Sequence, residues 1–141
     1  MGVLSTAGSK STVWGAAVYY LADKDLNIYF VTRTGTFKYK NIKAQPYAAL
    51  TVADAEDQIT VQLSGKVEQM PINKYMDTYF DKFAAMRLGS DDQSVSPIDK
   101  VHEGGYIPLQ LTPSYLRYAD YGQKRIEANG NYIEQIIPKP D

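Results

Sequence analysis

Arg33, Lys38 and Lys40 cluster around a predicted change of backbone direction in Ile28-Tyr29-Phe30-Val31-Thr32-Arg33-Thr34-Gly35-Thr36-Phe37-Lys38-Tyr39-Lys40-Asn41-Ile42. The first part, rich in aromatic and β-branched residues, reads as a strand that breaks at Gly35. A short helix near Lys38 to Lys43 follows, with Thr36 placed to cap it; such a cap is worth about 1 kcal/mol over Ala. A helix N-terminus carries partial positive charge and is usually matched by Asp or Glu. Here Arg33 precedes it, Lys38 and Lys40 occupy the first turn, and no acid appears until well past the helix. Free N–H groups with added cations suit an anion, a phosphate best of all. A basic, solvated helix start is the competing reading, and this stretch alone leaves both open.

The flanking segments read mainly as strands. Val3 to Thr6 is a short apolar strand, followed by a polar turn over Ala7 to Ser11. Thr12 to Leu21 reads as a second strand with Gly15 inside it, which marks either a close approach to the backbone or a bulge. The charged turn Ala22 to Asn27 would join it to Ile28–Arg33 as a hairpin. Gln45-Pro46 stops the short helix, and Ala48 to Ala53 reads as a strand. After the turn Asp54 to Asp57, the run from Ile59 to Glu68 alternates, with Ile59, Val61 and Leu63 on one face, until Pro71. Asn73 to Arg87 has an aromatic and Met stripe at helical spacing, the mark of core packing. Tyr106 to Leu111, Tyr115 to Tyr121 and Tyr132 to Ile137 read as three closing strands, with turns at Pro113 and Gly130. The expected fold is mainly β: one domain over residues 1–141, an antiparallel barrel of about six or seven strands with short helices.

Composition narrows the function classes. The chain has 141 residues and no cysteine, which excludes disulfides, a thiol nucleophile and Cys-ligated metal. A net charge of −1 and a single basic cluster argue against a nucleic-acid groove, although tyrosines could stack bases. No apolar run has transmembrane length and Met1 to Ser11 lacks a signal-peptide layout, so a cytoplasmic protein is expected. The twelve tyrosines suggest a wide half-buried surface, such as an oligomer interface or a ligand site. The lone His102 has no second metal-ligand type clustered nearby. There is no G-x-S-x-G elbow, H-E-x-x-H, Walker loop or strand-linked G-x-G-x-x-G, so any redox or transfer chemistry would reside in a cofactor.

The ordered set Tyr29-Phe30-Val31-Thr32-Arg33, Gly35-Thr36, Lys38, Asn41, Pro46-Tyr47-Ala48-Ala49-Leu50 and Val61-Gln62-Leu63-Ser64-Gly65 resembles the pyridoxamine 5'-phosphate oxidase-like family of FMN-binding split barrels. The match is good over residues 3 to 70 and looser beyond. The resemblance implies a homodimer with two FMN molecules held between the subunits. It places Thr32, Arg33, Thr36 and Lys38 around the FMN phosphate, Gly15, Ala16 and Ala17 along the ring, and Thr60 at the ring's polar edge. Tyr118 and Arg125 would approach the flavin from the second subunit. Phe37 stands where the true oxidases carry a basic residue, and their C-terminal Arg–His substrate pair is not evident. Family members usually carry a helix before the first strand, where this chain begins a strand almost at once. The likeness is therefore to the small general-stress or uncharacterised flavoprotein branch, not to an enzyme acting on pyridoxamine 5'-phosphate.

Magnitudes favour a composite site. A phosphate at a helix N-terminus gains about 1–2 kcal/mol, whereas micromolar binding needs about 8 kcal/mol. The rest would come from burying the ring in a two-chain cleft. The expected function is an FMN-dependent oxidoreductase with an unknown small substrate. The alternative is a non-catalytic protein binding or storing flavin, haem or a deazaflavin.

Overall fold

The computed structural model describes residues 1–10, 12–73, 105–122 and 132–138. Alternation of apolar and polar residues sorts the strands into a core row and a solvent row. In β1 (Gly2–Ala7), Leu4 and Thr6 are buried while Val3 is exposed. The same alternation continues in β5 (Tyr47–Asp54), where Ala48 and Leu50 are buried, and in β6 (Ile59–Gln69), where Leu63 and Val67 are buried. The remaining strands are β2 (Val13–Val18), β3 (Leu21–Ala22), β4 (Ile28–Arg33), β7 (Tyr106–Asp120) and β8 (Ile133–Ile137). All pairings are antiparallel, in the order β2-β1-β5-β6-β7-β4-β3, with β8 also on β7.

Strand β7 is where the sheet divides. Its first half pairs with β4 along one edge, and its second half pairs with β8. The other edge runs along β6 from Leu109 to Asp120. The result is a curled, split antiparallel half-barrel. The single described helix, α1 (Phe37–Ala44), packs against β1, β2 and β4. Phe30, Leu4, Leu50, Leu109 and Leu111 form the fully buried centre, and Ile42 brings α1 onto it.

Two expected turns and pairings are replaced. The sequence places a turn at Pro113, but Tyr106 to Asp120 is one continuous strand. Its register shifts opposite Ser64 and Gly65, so Ser114 is the extra residue of a bulge beside Pro113. A bulge tolerates the missing proline N–H. Gly65 makes it possible, because a Cβ there would collide with the Thr112 carbonyl and with Pro113.

The expected strand over Thr12 to Leu21 is interrupted at Tyr19 and Tyr20, and β2 pairs with β1 instead of β4. The closing bond from Gly8 N–H to the Thr12 carbonyl, at 2.9 Å, turns the chain back at once and makes β1–β2 the nearest hairpin. Only Leu21 and Ala22 pair with β4. The expected helix from Asn73 to Arg87 lies outside the described residues from Lys74 onward, as does the turn at Gly130. No helix among the described residues is long and apolar enough to cross a membrane.

Candidate functional site

Four of the expected phosphate-binding residues meet where β4 ends and α1 begins. Thr36 is the N-cap, with extended backbone at φ −79° and ψ 153°. Its hydroxyl donates to the Arg33 carbonyl at 2.8 Å and accepts from the Tyr39 N–H at 3.4 Å. The buried Thr32 hydroxyl lies 3.1 Å from that of Thr36. The first turn of α1 contains no acid.

Lys38 is half-buried, and desolvation lowers its pKa below the ordinary lysine value. It makes no hydrogen bond or ion pair with any described residue. A cation held partly out of water with no counter-charge is costly unless an anion meets it. Arg33 is exposed, its guanidinium 5.6 Å from the centre of the Tyr106 ring.

The second group, Gly15, Ala16 and Ala17, lies on β2, whose other edge is unpaired among the described residues. Directly opposed residues of an antiparallel sheet share a face. Ala16 therefore lies in the row of Leu4, Leu50 and Leu63, on the core side. Gly15 and Ala17 lie in the other row, with Ser5, Ala49 and Ser64 and with Val3, Thr51 and Gln62. The β1–β2 register is continuous, so Gly15 is not at a bulge. A Cβ there would meet only Val3 Cγ1, at 3.6 Å. Beyond its chain neighbours, no other described residue comes within 4 Å of that position.

Helix α1 ties these groups together. The Asn41 side-chain amide donates to the Thr6 hydroxyl at 3.1 Å, and that hydroxyl donates to the Trp14 carbonyl at 3.4 Å. The rings of Trp14 and Phe37 sit 5.0 Å apart, joining the neighbour of Gly15 to the neighbour of Lys38.

Thr60 and Tyr118 are not brought to this cluster. Thr60 lies on β6, three strands from β2 in the sheet order, a separation of about 14 Å at ordinary strand spacing. Tyr118 opposes Val61 and Glu134, in the row opposite to that of Thr60. Its hydroxyl lies 3.5 Å from the Asp120 carboxylate. Arg125 and His102 lie outside the described residues. Among the described residues no cluster of His, Asp or Glu could hold a metal ion.

The solvent row of β1, β2, β5 and β6 carries an open cavity of about 290 Å³ lined by Ser5, Ala7, Val13, Tyr47, Ala49 and Ser64. Sequence reasoning missed Thr6, Trp14 and Tyr106. Trp14 adjoins Gly15 and is the chain's one tryptophan, the signal that could have drawn notice to it. For Thr6 and Tyr106 the sequence carries no such signal.

Residues 1–101 match the family model described as pyridoxamine 5'-phosphate oxidase. No curated protein matches the chain in sequence. Among solved structures, the chain is similar to PhzG from Burkholderia lata 383 in complex with tetrahydrophenazine-1-carboxylic acid, with TM-score 0.66, 14% identity, and coverage of 99% of this chain and 81% of that one. A pyridoxamine 5'-phosphate oxidase-related, FMN binding protein from Nostoc punctiforme PCC 73102 aligns with TM-score 0.59 and 13% identity, over 95% of this chain and 78% of that one. HutZ, the heme storage protein from Vibrio cholerae, aligns with TM-score 0.62 and 8% identity, over 79% and 80%. At these identities the structures share the fold.

Proposed function

The chain belongs to the pyridoxamine 5'-phosphate oxidase family, and on that premise we propose that it is an FMN-binding flavoprotein and oxidoreductase that works as a homodimer on a small substrate. The observation that carries this reading is Lys38: a half-buried cation without a partner among the described residues, in the acid-free first turn of a helix capped by Thr36. The donor set fits a phosphate monoester. Lys38 and Arg33 supply charge, the Thr32 and Thr36 hydroxyls can rotate toward oxygen, and the helix start supplies N–H groups. A ring lying along β2 would meet the small residues Gly15 and Ala17, which leave its approach open.

Two observations support a second subunit. One chain leaves Thr60 and Tyr118 remote from the phosphate cluster. The solvent row of the sheet also exposes Val3, with Val13 and Tyr47 at the cavity, and an apolar patch of that kind suits an interface. Bound FMN would supply the redox chemistry. The chain's own part would be to hold the phosphate, to align the ring against β2 and to exclude water from the cleft.

The Nostoc relative is described as FMN binding and the Vibrio relative as a heme storage protein, so cofactor identity is the first thing to test. The gently purified protein, loaded with FMN and desalted, is expected to keep a flavin spectrum with about one FMN per chain. It is expected to sediment as a dimer. Loss of all flavin at low salt without competing phosphate would overturn the reading. Reduction of the bound flavin followed by turnover with an acceptor distinguishes an enzyme from a storage protein.

A further inference from the structure

Two large aromatic rings stand beside the candidate phosphate site, outside the core cluster. Trp14 is 48% exposed and Phe37 is 61% exposed. Their centroids lie 5.0 Å apart with the planes 34° from parallel. The Lys40 ammonium sits 5.7 Å from the centre of the Phe37 ring. The Asn41–Thr6–Trp14 hydrogen bonds hold the two elements that carry the rings in one place. The platform is therefore ordered in advance, and a ligand would lose little freedom by ordering it.

The flavin reading uses Lys38 and the small residues of β2 and leaves this group unused. An exposed aromatic pair next to a cation that has no ion pair among the described residues suits a planar heteroaromatic ring that carries a phosphate. We propose that Trp14, Phe37 and Lys40 form a stacking site for an adenine nucleotide, with the base on the aromatic pair and a phosphate on Lys40. The proposal rests on the flavin reading for its purpose, which is to bring a nucleotide co-substrate to the mouth of the flavin cleft. Charge complementarity selects this occupant: Lys40 lies against the Phe37 ring and the first turn of α1 contains no acid. A neutral aromatic ligand would leave Lys40 unused.

The test is calorimetric titration of AMP into the FMN-loaded protein, with adenosine and inorganic phosphate as separate probes. Saturable AMP binding is expected, weakened about tenfold or more by Phe37→Ala and restored by Phe37→Tyr. Lys40→Gln should weaken AMP but not adenosine, and should reduce the salt dependence of AMP binding. Phe37→Ala should keep its FMN. In FMN-free protein, emission from Trp14, the sole tryptophan, should change on adding AMP but not on adding phosphate.

The proposal is overturned if the wild type shows no saturable AMP binding, or if Phe37→Ala binds AMP as tightly as wild type. It is also overturned if phosphate alone reproduces the AMP response, or if Phe37→Ala releases FMN and AMP together, since the rings would then belong to the flavin's own site. Protein that never retains FMN but binds AMP with the expected variant pattern would sink the flavin reading and leave the stacking site standing. FMN retention without AMP binding would do the reverse.

Discussion

Strand β4 runs between two polar turns that use their charges in opposite ways. Before it, the Asp23 carboxylate accepts from the N–H groups of Asp25 and Asn27, both at 2.9 Å, from the Asn27 amide at 3.0 Å and from the Tyr29 hydroxyl at 2.7 Å. Burial works to raise its pKa, but the hydrogen bonds from Asn27, Tyr29 and Asp25 outweigh it and hold the carboxyl below its usual value. After β4, Arg33, Lys38 and Lys40 surround a helix start with no acid, and desolvation lowers Lys38. The first turn satisfies its charge internally. The second leaves Lys38 without a counter-charge among the described residues. Polar residues in a turn are therefore a weak sign of function, and a charge held partly out of water with nothing to meet it is a stronger one.

Lys38→Ala makes the sharpest break in this comparison. It should weaken FMN binding by about 10- to 100-fold, the loss of one charge-assisted contact, with thermal stability unchanged or slightly higher. Fluorescence titration with FMN measures the first and a melting curve the second; unchanged affinity in folded protein would remove Lys38 from the phosphate site.

At the closed end, Asp23→Ala should cost about 1–2 kcal/mol of stability, read from the urea midpoint. FMN affinity should not move. A variant that kept its stability and lost FMN would reverse the roles of the two turns.

Thr36→Ala tests whether one residue serves both fold and ligand. It should cost about 1 kcal/mol as a lost cap and lower FMN affinity by a few-fold. Loss of stability alone would leave Thr36 a cap and nothing more.

The smallest effects are in pH. In the ligand-free protein Lys38 releases its proton at lower pH than in the unfolded chain, whose lysine value is 10.5. Between those two values the unfolded state binds more protons, so stability rises with pH across that window. FMN affinity should fall across the same window, because a neutral amine no longer meets the phosphate; the comparison with Lys38→Ala, which should lack that fall, isolates it. Asp23 acts at the other limb. Its contribution is present above the unfolded carboxyl value and lost as pH falls through its lower folded value. Asp23→Ala should flatten acid unfolding there.

Much of this could be read along the chain because its causes are local. The cap at Thr36 depends on Arg33 and Tyr39, three residues to either side. Alternation placed Leu63 in the core without knowledge of its partners. Pro113 was misread because a proline ends a strand unless a bulge receives it, and this bulge depends on Gly65 in another strand. The partner of β2 was misread because two turns compete for it and only their geometry decides between them. Gly15 and Ala16 looked equivalent, but the register assigns them to opposite faces.

By itself the sequence determined the strand-rich class, the capped basic helix start, the absence of thiol chemistry and the resemblance to a flavin-binding family. Those follow from residue type and from interactions within a few positions. Only the tertiary structure decided that Lys38 lacks a partner among the described residues, that Trp14 meets Phe37, and that Thr60 and Tyr118 stand away from both. Burial, register and the meeting of distant segments are properties of the packed chain, and no local pattern encodes them.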